Sequence, residues 1–248
     1  MSVTISPAVQ RVLPLLIDPP PAPATPNGYL DQLGSQPGAD GQDVNTGVVQ
    51  SLWSSRIGAL LYDQASTAAR RVVGFLQSPA ERLHLRPGQT VLDIACGPGE
   101  ITASLANTVG PDGLSIGIDI AESMLARAAQ QHRADNIAFL RADAPRLPLR
   151  DNTIDAVTCM AGLQLIPDPD TALAEMIRVL RPGGRLAVLV PTVGAGPLEL
   201  IGRYVPGVGG ARIFADTEIA DSVRGFGLGD VTTRRLGTIQ WTCGHKIG

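Results

Sequence analysis

The sequence predicts an α/β protein on a doubly wound, mostly parallel sheet with a helical N-terminal extension. Three observations predict it. From Gln89 onward, short apolar runs alternate with segments of helical spacing, a pattern that needs crossover connections and hence a parallel sheet. The first run leads into a glycine turn, Gly97-Pro98-Gly99, that opens a helix. Acids recur at or just past the run ends, at Asp93, Asp119 and Asp143.

The elements follow in order. Val9, Val12, Leu13, Leu16 and Ile17 share helical spacing, interrupted by Pro14. Residues 18–46 are rich in Pro, Gly, Asp and Gln and read as a linker or mobile arm, so 1–46 is expected to be one helix plus that arm. Residues 47–83 read as a helical lid segment. Val49, Leu52, Trp53, Ile57, Leu60 and Leu61 are helically spaced, and a second helix is expected over Ser66–Leu76. The ligand-binding domain is expected over 84–248, with a Gly-rich insertion around 192–214. Its strands are read at Thr90–Ile94, Leu114–Ile118, Ile137–Leu140, Ile154–Cys159 and Arg185–Val190, with late candidates at Val231–Leu236 and Ile239–Thr242. Helices are read near Glu100–Val109, Ala121–Gln131, Thr171–Leu180 and Thr217–Phe226, the third stopped by Pro182-Gly183-Gly184.

Bulk properties narrow the function. The chain has 248 residues, 44% of them hydrophobic, enough for one domain with a full core. Net charge is −3 with no basic stripe, which argues against a nucleic-acid partner. Cys96, Cys159 and Cys243 form no CxxC pair and the three histidines are scattered, so neither a metal site nor a disulfide framework is expected. The early run VLPLLI is too short for a signal core, and Leu186–Ile201 is broken by Pro and Gly. A cytoplasmic protein with no membrane partner is the expectation.

In doubly wound sheets, ligands bind beyond the carboxyl ends of the strands. Gathered there are Asp93 and the turn Ala95-Cys96-Gly97-Pro98-Gly99, then Asp119, Asp143-Ala144 and Cys159-Met160. Glycines in such a turn are expected to let the backbone approach a ligand. Taken singly, Asp119 reads equally as a cap for the helix starting at Ala121, and Asp143 as a turn acid before Pro145. Taken together they suit a particular ligand chemistry. A dinucleotide turn wants a third glycine where Thr102 stands, and Asp93 with Glu100 would repel a pyrophosphate. S-adenosylmethionine, with a sulfonium, an ammonium, a ribose diol and an adenine, meets no such objection. Asp119 would accept from the ribose hydroxyls and Asp143 from the adenine amino group. The Ala144 N–H would read the ring, and Ile120 and Met124 would offer it apolar faces.

These stretches, LRPGQTVLDIACGPGE, GIDIAESML, RADAPRLPLRDNTID and MIRVLRPGGRLAVL, resemble the class I S-adenosylmethionine-dependent methyltransferases. The branch closest in look holds the ubiquinone/menaquinone-biosynthesis C-methyltransferases and related small-molecule enzymes. The resemblance covers about Tyr62 to the C-terminus. It implies a seven-stranded Rossmann-like sheet whose last strand is antiparallel. It also implies that Asp93, Ala95, Cys96, Gly97 and Gly99 hold the methionine part, Asp119 the ribose, and Asp143 with Ala144 the adenine. Cys159, Met160 and Ala161 would lie beside the methionyl group, and Tyr62 would close over the cofactor. Because the chain ends soon after the last strand, an abbreviated sheet edge is expected.

Methyl transfer from a sulfonium is an in-line displacement, served by alignment and a dry site. A base is needed only for a nucleophile that must lose a proton. Gln164 and His245 are the candidates for acceptor chemistry, whereas His84 precedes the first strand, on the wrong side of the sheet. Cys159 has no His context and reads as a small core residue. Trp53, Ile57 and Leu61 read as a lid face, a packing face or a homodimer contact. Tyr204, within Gly194–Phe214, would cover an apolar small-molecule acceptor. Two other readings remain: a non-catalytic partner or scaffold with this fold, and an NAD-linked dehydrogenase, which Thr102 and the acids disfavour.

Overall fold

The computed structural model describes residues 5–33, 78–192 and 212–248. The helices expected over 47–63 and Ser66–Leu76, Tyr62, and most of the 192–214 insertion with Tyr204 lie outside the described residues.

The strands are β1 (Leu30–Asp31), β2 (Thr90–Ile94), β3 (Leu114–Asp119), β4 (Ile137–Arg141), β5 (Ile154–Met160), β6 (Leu180–Pro191), β7 (Leu228–Leu236) and β8 (Ile239–Lys246). They form one sheet in the order β1-β4-β3-β2-β5-β6-β8-β7. Pairing is parallel from β1 to β6, and β8 runs antiparallel to both its neighbours. The helices are α1 (Pro7–Val12), α2 (Pro79–Arg82), α3 (Glu100–Val109), α4 (Glu122–Gln131), α5 (Pro169–Val179) and α6 (Glu218–Gly225).

The sheet is covered on both faces, which is why its central strands read as continuous apolar runs. Alternate residues feed opposite layers. Leu92, Ile94, Ile116, Ile118, Val157 and Val188 pack with α1, α5 and α6. Val91, Ala156, Ala187 and Leu189 pack with Leu105 and Val109 of α3 and with Trp241. Helix α3 buries Thr102, Leu105, Ala106 and Val109, one stripe at helical spacing. Gly99 (φ +88°) opens it and Gly110 (φ +71°) closes it. Helix α5 starts where Asp168 accepts the Thr171 N–H at 3.1 Å, with proline in its first turn.

Three expectations change. Among the described residues the sheet has eight strands, because the segment read as a linker supplies one. Leu30 and Asp31 pair in parallel with Leu140 and Arg141, Asp31 meets Arg141 at 3.1 Å, and Tyr29 and Leu30 are buried. Composition marked this stretch as extended, but one apolar pair suffices to dock it on an edge strand. Pro14 does not merely interrupt the first helix. It shifts it into a 3-10 turn, Leu13–Leu15, behind α1, whose Ala8, Val9 and Val12 enter the main core. Helix α5 ends at Val179 with Leu180 as its cap, the end expected, and Leu180 already pairs with Ile154. The glycines then lie at a register shift within β6. The sheet edge is also not abbreviated, since β7 is nine residues long and β8 eight.

Candidate active site at the carboxyl rim

Strands β4, β3, β2 and β5 are neighbours and parallel, so their carboxyl ends form one rim. Asp93, Asp119, the Asp143-Ala144 pair and Met160 all fall on it.

The turn after β2 climbs beside β3. The Cys96 N–H donates to the Ile118 carbonyl at 3.0 Å. Ala95 (φ +56°) and Gly97 (φ +54°) take left-handed conformations. Gly99 is left-handed (φ +88°) and closely packed. A Cβ there would sit 2.8 Å from Phe139 Cζ and 3.0 Å from Ala128 Cβ.

Asp119 ties the turn to the next helix. Its Oδ2 accepts the Gly97 N–H at 2.8 Å and its Oδ1 the Ala121 N–H at 2.9 Å. It makes no N-cap bond inside the helix: the residue at the cap of α4 is Ala121, which has no side-chain cap. A carboxylate has about four lone-pair directions, so these bonds do not exhaust its acceptor capacity. Burial pushes the Asp119 carboxyl up, opposed by the N–H groups of Ala121, Gly97 and Ile120.

Asp93 lies beneath the turn, only 1% exposed. Thr102 Oγ1 donates to its Oδ2 at 2.6 Å, and the fully buried Thr102 in turn accepts Ser115 Oγ at its carbonyl, 2.8 Å away. The position that a dinucleotide turn gives to glycine thus carries the alcohol that solvates a buried carboxylate. Asp93 thus presents no open face at the rim.

The exit of β5 packs against that of β2. A Cβ on Gly162 would lie 2.4 Å from Ala95 Cβ. Ala161 is left-handed (φ +53°). Gln164, in a 3-10 turn (Leu163–Leu165), donates from Nε2 to the Ala161 carbonyl at 2.7 Å. That bond fixes the amide orientation and leaves Oε1 buried with no hydrogen-bond partner. The Arg212 N–H donates to the Gln164 carbonyl at 2.9 Å, so the chain returning from the 192–214 insertion is fastened beside this residue.

Other expected residues fare unevenly. Burial raises the Asp143 carboxyl, opposed by Arg146 and the Ala144 N–H, so that N–H is engaged by Asp143. Ile120 is half-buried, while Met124 is only 6% exposed and offers little surface. The Cys159 side chain is fully buried, so only its backbone can face a ligand. Burial and then Asp93 push its thiol up to about 12. Cys96 is raised well above the usual thiol range by burial, then Asp119 and Asp93. His245 is not at the site. It pairs with Arg185 near the start of β6 and lies 3.5 Å from Asp230. Because β8 is antiparallel, its late residues reach the opposite rim. Sequence reasoning missed Thr102 as Asp93's partner and Ala95 as Gly162's. The only signal for the first was an alcohol where glycine was sought, and nothing signalled the second.

The turn from Ala95 to Glu100 contains no basic residue, and a buried carboxylate lies below it. That donor set suits a ligand with a cationic centre and a diol, not one with phosphates. Fold and rim together define a nucleoside-cofactor site on a doubly wound sheet.

The comparisons narrow that class. Residues 91–184 match a family described as a methyltransferase domain. Over 109 residues the chain is 46% identical to the ubiquinone/menaquinone biosynthesis C-methyltransferase UbiE of Ectopseudomonas mendocina, covering 42% of this chain and 43% of that protein. It is 45% identical to UbiE of Escherichia coli K12 over the same length and shares. The match thus spans less than half the length of these relatives. Among solved structures, the putative methyltransferase bound to the Haloferax volcanii Trm112 activator aligns at TM-score 0.62 and 18% identity, covering 81% of this chain and 98% of that one. The [4+2]-cyclase SpnF aligns at 0.58 and 23%, covering 73% and 83%. At these identities the structural likenesses show the fold. Among the described residues no helix is long and apolar enough to cross a membrane, and no cluster of metal-ligating side chains occurs.

Proposed function

We propose that the protein transfers a methyl group from S-adenosylmethionine to a small, apolar acceptor in the cytoplasm. The carrying observation is the Asp119 carboxylate. It is held at the rim by backbone N–H groups of the turn and of the helix entry and has acceptor capacity left for a ribose hydroxyl. In this reading the turn from Ala95 to Gly99 cradles the methionine part. Asp93 supplies negative potential beneath it, and Asp143 with Ala144 meets the adenine edge. Ile120 lies against the ring, and the backbone at Cys159 and Met160 borders the methyl group. The UbiE relatives support the reaction class.

The cofactor, when bound, supplies a methyl group on a sulfonium. The acceptor's lone pair or carbanion forms the new bond as the carbon–sulfur pair returns to sulfur, leaving a neutral thioether. An N, O or C acceptor that starts neutral then gives up a proton. Charge disperses in this step, so the chain's task is alignment and exclusion of water, a contribution that reaches roughly 7–11 kcal/mol in well-oriented systems. Gln164 Oε1, buried and unpartnered, is placed to accept a hydrogen bond from a protic acceptor and so orient it.

The test is calorimetry with S-adenosylhomocysteine and with NADH, followed by assays of a labelled methyl donor against phenolic, quinol and amine acceptors. Preferential binding of NADH would overturn the reading. A second reading, in which this fold serves another reaction, draws on the likeness to the cyclase SpnF. Tight S-adenosylhomocysteine binding without methyl transfer to any class of acceptor would favour it.

A further inference from the structure

A second concavity lies at the opposite, amino-terminal rim, away from the carboxyl-rim site. It is a cleft of about 720 Å³ between α2 and strands β6, β8 and β7, a volume that suits a small metabolite. Its walls follow from the register. Arg185 pairs with His245, Thr232 with Cys243 and Arg234 with Trp241. Residues two apart share a sheet face, so these strands turn one face toward Arg82 of α2.

Many arginines of this chain are paired with acids, and the cleft gathers three that, among the described residues, are not. Elsewhere Arg141, Arg178, Arg181, Arg212, Arg224 and Arg235 each meet a carboxylate. Among the described residues, the guanidiniums of Arg82, Arg185 and Arg234 in the cleft meet none. Arg82 stacks over the Trp241 ring at 5.9 Å, and its Nη2 is buried with no hydrogen-bond partner. Two acids line the cleft, Glu81 and Asp230, and Asp230 already faces His245 at 3.5 Å. Three unpaired guanidiniums are thus gathered in one concavity of a chain whose net charge is −3. A buried donor without a partner costs free energy, and a bound anion would remove that cost. Guanidinium forks match tetrahedral oxyanions in geometry as well as charge.

We propose that this cleft binds a small polyanion carrying two or more phosphoryl groups. The ligand bridges Arg82 on the helix side to Arg185 and Arg234 on the sheet side. The site is separate from the methyl-transfer chemistry, and its occupancy would couple α2 to the last two strands.

Inorganic pyrophosphate is the probe, titrated calorimetrically into the full chain at fixed ionic strength. The wild type should bind it, and Arg82→Gln with Arg234→Gln should weaken binding at least about tenfold, the lower range for hydrogen bonds to a charged group. Thermal unfolding of the variant verifies that it folds, and Arg185→Gln, at an exposed strand position, provides a milder second variant that should also weaken binding. No binding to wild type, or equal binding by the variants, overturns the site. Citrate binding as tightly as pyrophosphate overturns the phosphoryl preference.

Discussion

Replacing Asp119 with alanine separates its two duties. In the free protein its carboxylate accepts the Gly97 N–H at 2.8 Å and the Ala121 N–H at 2.9 Å. Hydrogen bonds to a charged group are worth about 1.5–3 kcal/mol each, so the pair sets an upper bound of about 3–6 kcal/mol. Two effects reduce that loss. Water can reach this partly exposed rim, and the variant is spared the burial that raises the Asp119 carboxyl. A net loss of roughly 1–3 kcal/mol remains. For a chain of this size each kcal/mol shifts Tm by about 2–4 °C, so thermal unfolding should drop by roughly 2–12 °C. The second duty appears only with ligand. Loss of one charge-assisted bond to the ribose should weaken S-adenosylhomocysteine affinity by about 10- to 150-fold in calorimetry. Asp119→Asn should fall between, because its amide nitrogen must face one of the two backbone N–H groups. A Tm unchanged within about 1 °C would refute the bracing role, and unchanged affinity would refute contact with the cofactor.

Three further outcomes are expected. Gly162→Ala should lose about 1–3 kcal/mol in urea unfolding through overpacking alone, because its Cβ would meet Ala95 Cβ at 2.4 Å. Ala95→Gly in the same chain should restore most of that loss, and simple additivity would contradict the contact. At pH 8, alkylation followed by peptide mass spectrometry should leave Cys96 and Cys159 unmodified in the native protein, given their burial and raised thiols. Rapid labelling of Cys159 would show that the β5 exit opens. Lastly, burial raises the Asp119 and Asp143 carboxyls above 3.8. Their charged forms therefore cost stability at neutral pH, and that cost is relieved as pH falls through the raised values toward 3.8. Affinity for S-adenosylhomocysteine should fall over the same window, and Asp119→Ala should flatten the dependence. An affinity that does not change with pH would show that neither carboxylate faces the ligand.

Much of the scaffold was legible because its signals are local. The aliphatic run Thr90–Ile94 and the helix Glu100–Val109 were bounded correctly at both ends, since alternation, apolar stripe and flanking glycines all lie within a few residues. The end of α5 was also legible, to within one residue, but only part of its cause was. Pro182-Gly183-Gly184 is a strong breaker, but the earlier pairing of Leu180 with Ile154 is a contact no local pattern announces. The strand at Leu30–Asp31 was hidden likewise, because its partner β4 lies over a hundred residues away in sequence.

By itself the sequence determined that strands alternate with helices, that acids stand at strand ends, and that the first turn lacks the basic residues and third glycine of a phosphate binder. Periodicity, turn chemistry and charge are properties of neighbouring residues. Only the tertiary structure decided that β4, β3, β2 and β5 lie side by side, so that those acids share one rim. It also decided that Thr102 reaches back to Asp93, that Gly99 yields to Phe139, and that an antiparallel last strand carries His245 to the far edge. Each of these depends on contact between segments distant along the chain, and such contacts are chosen by how the whole sheet buries its two faces.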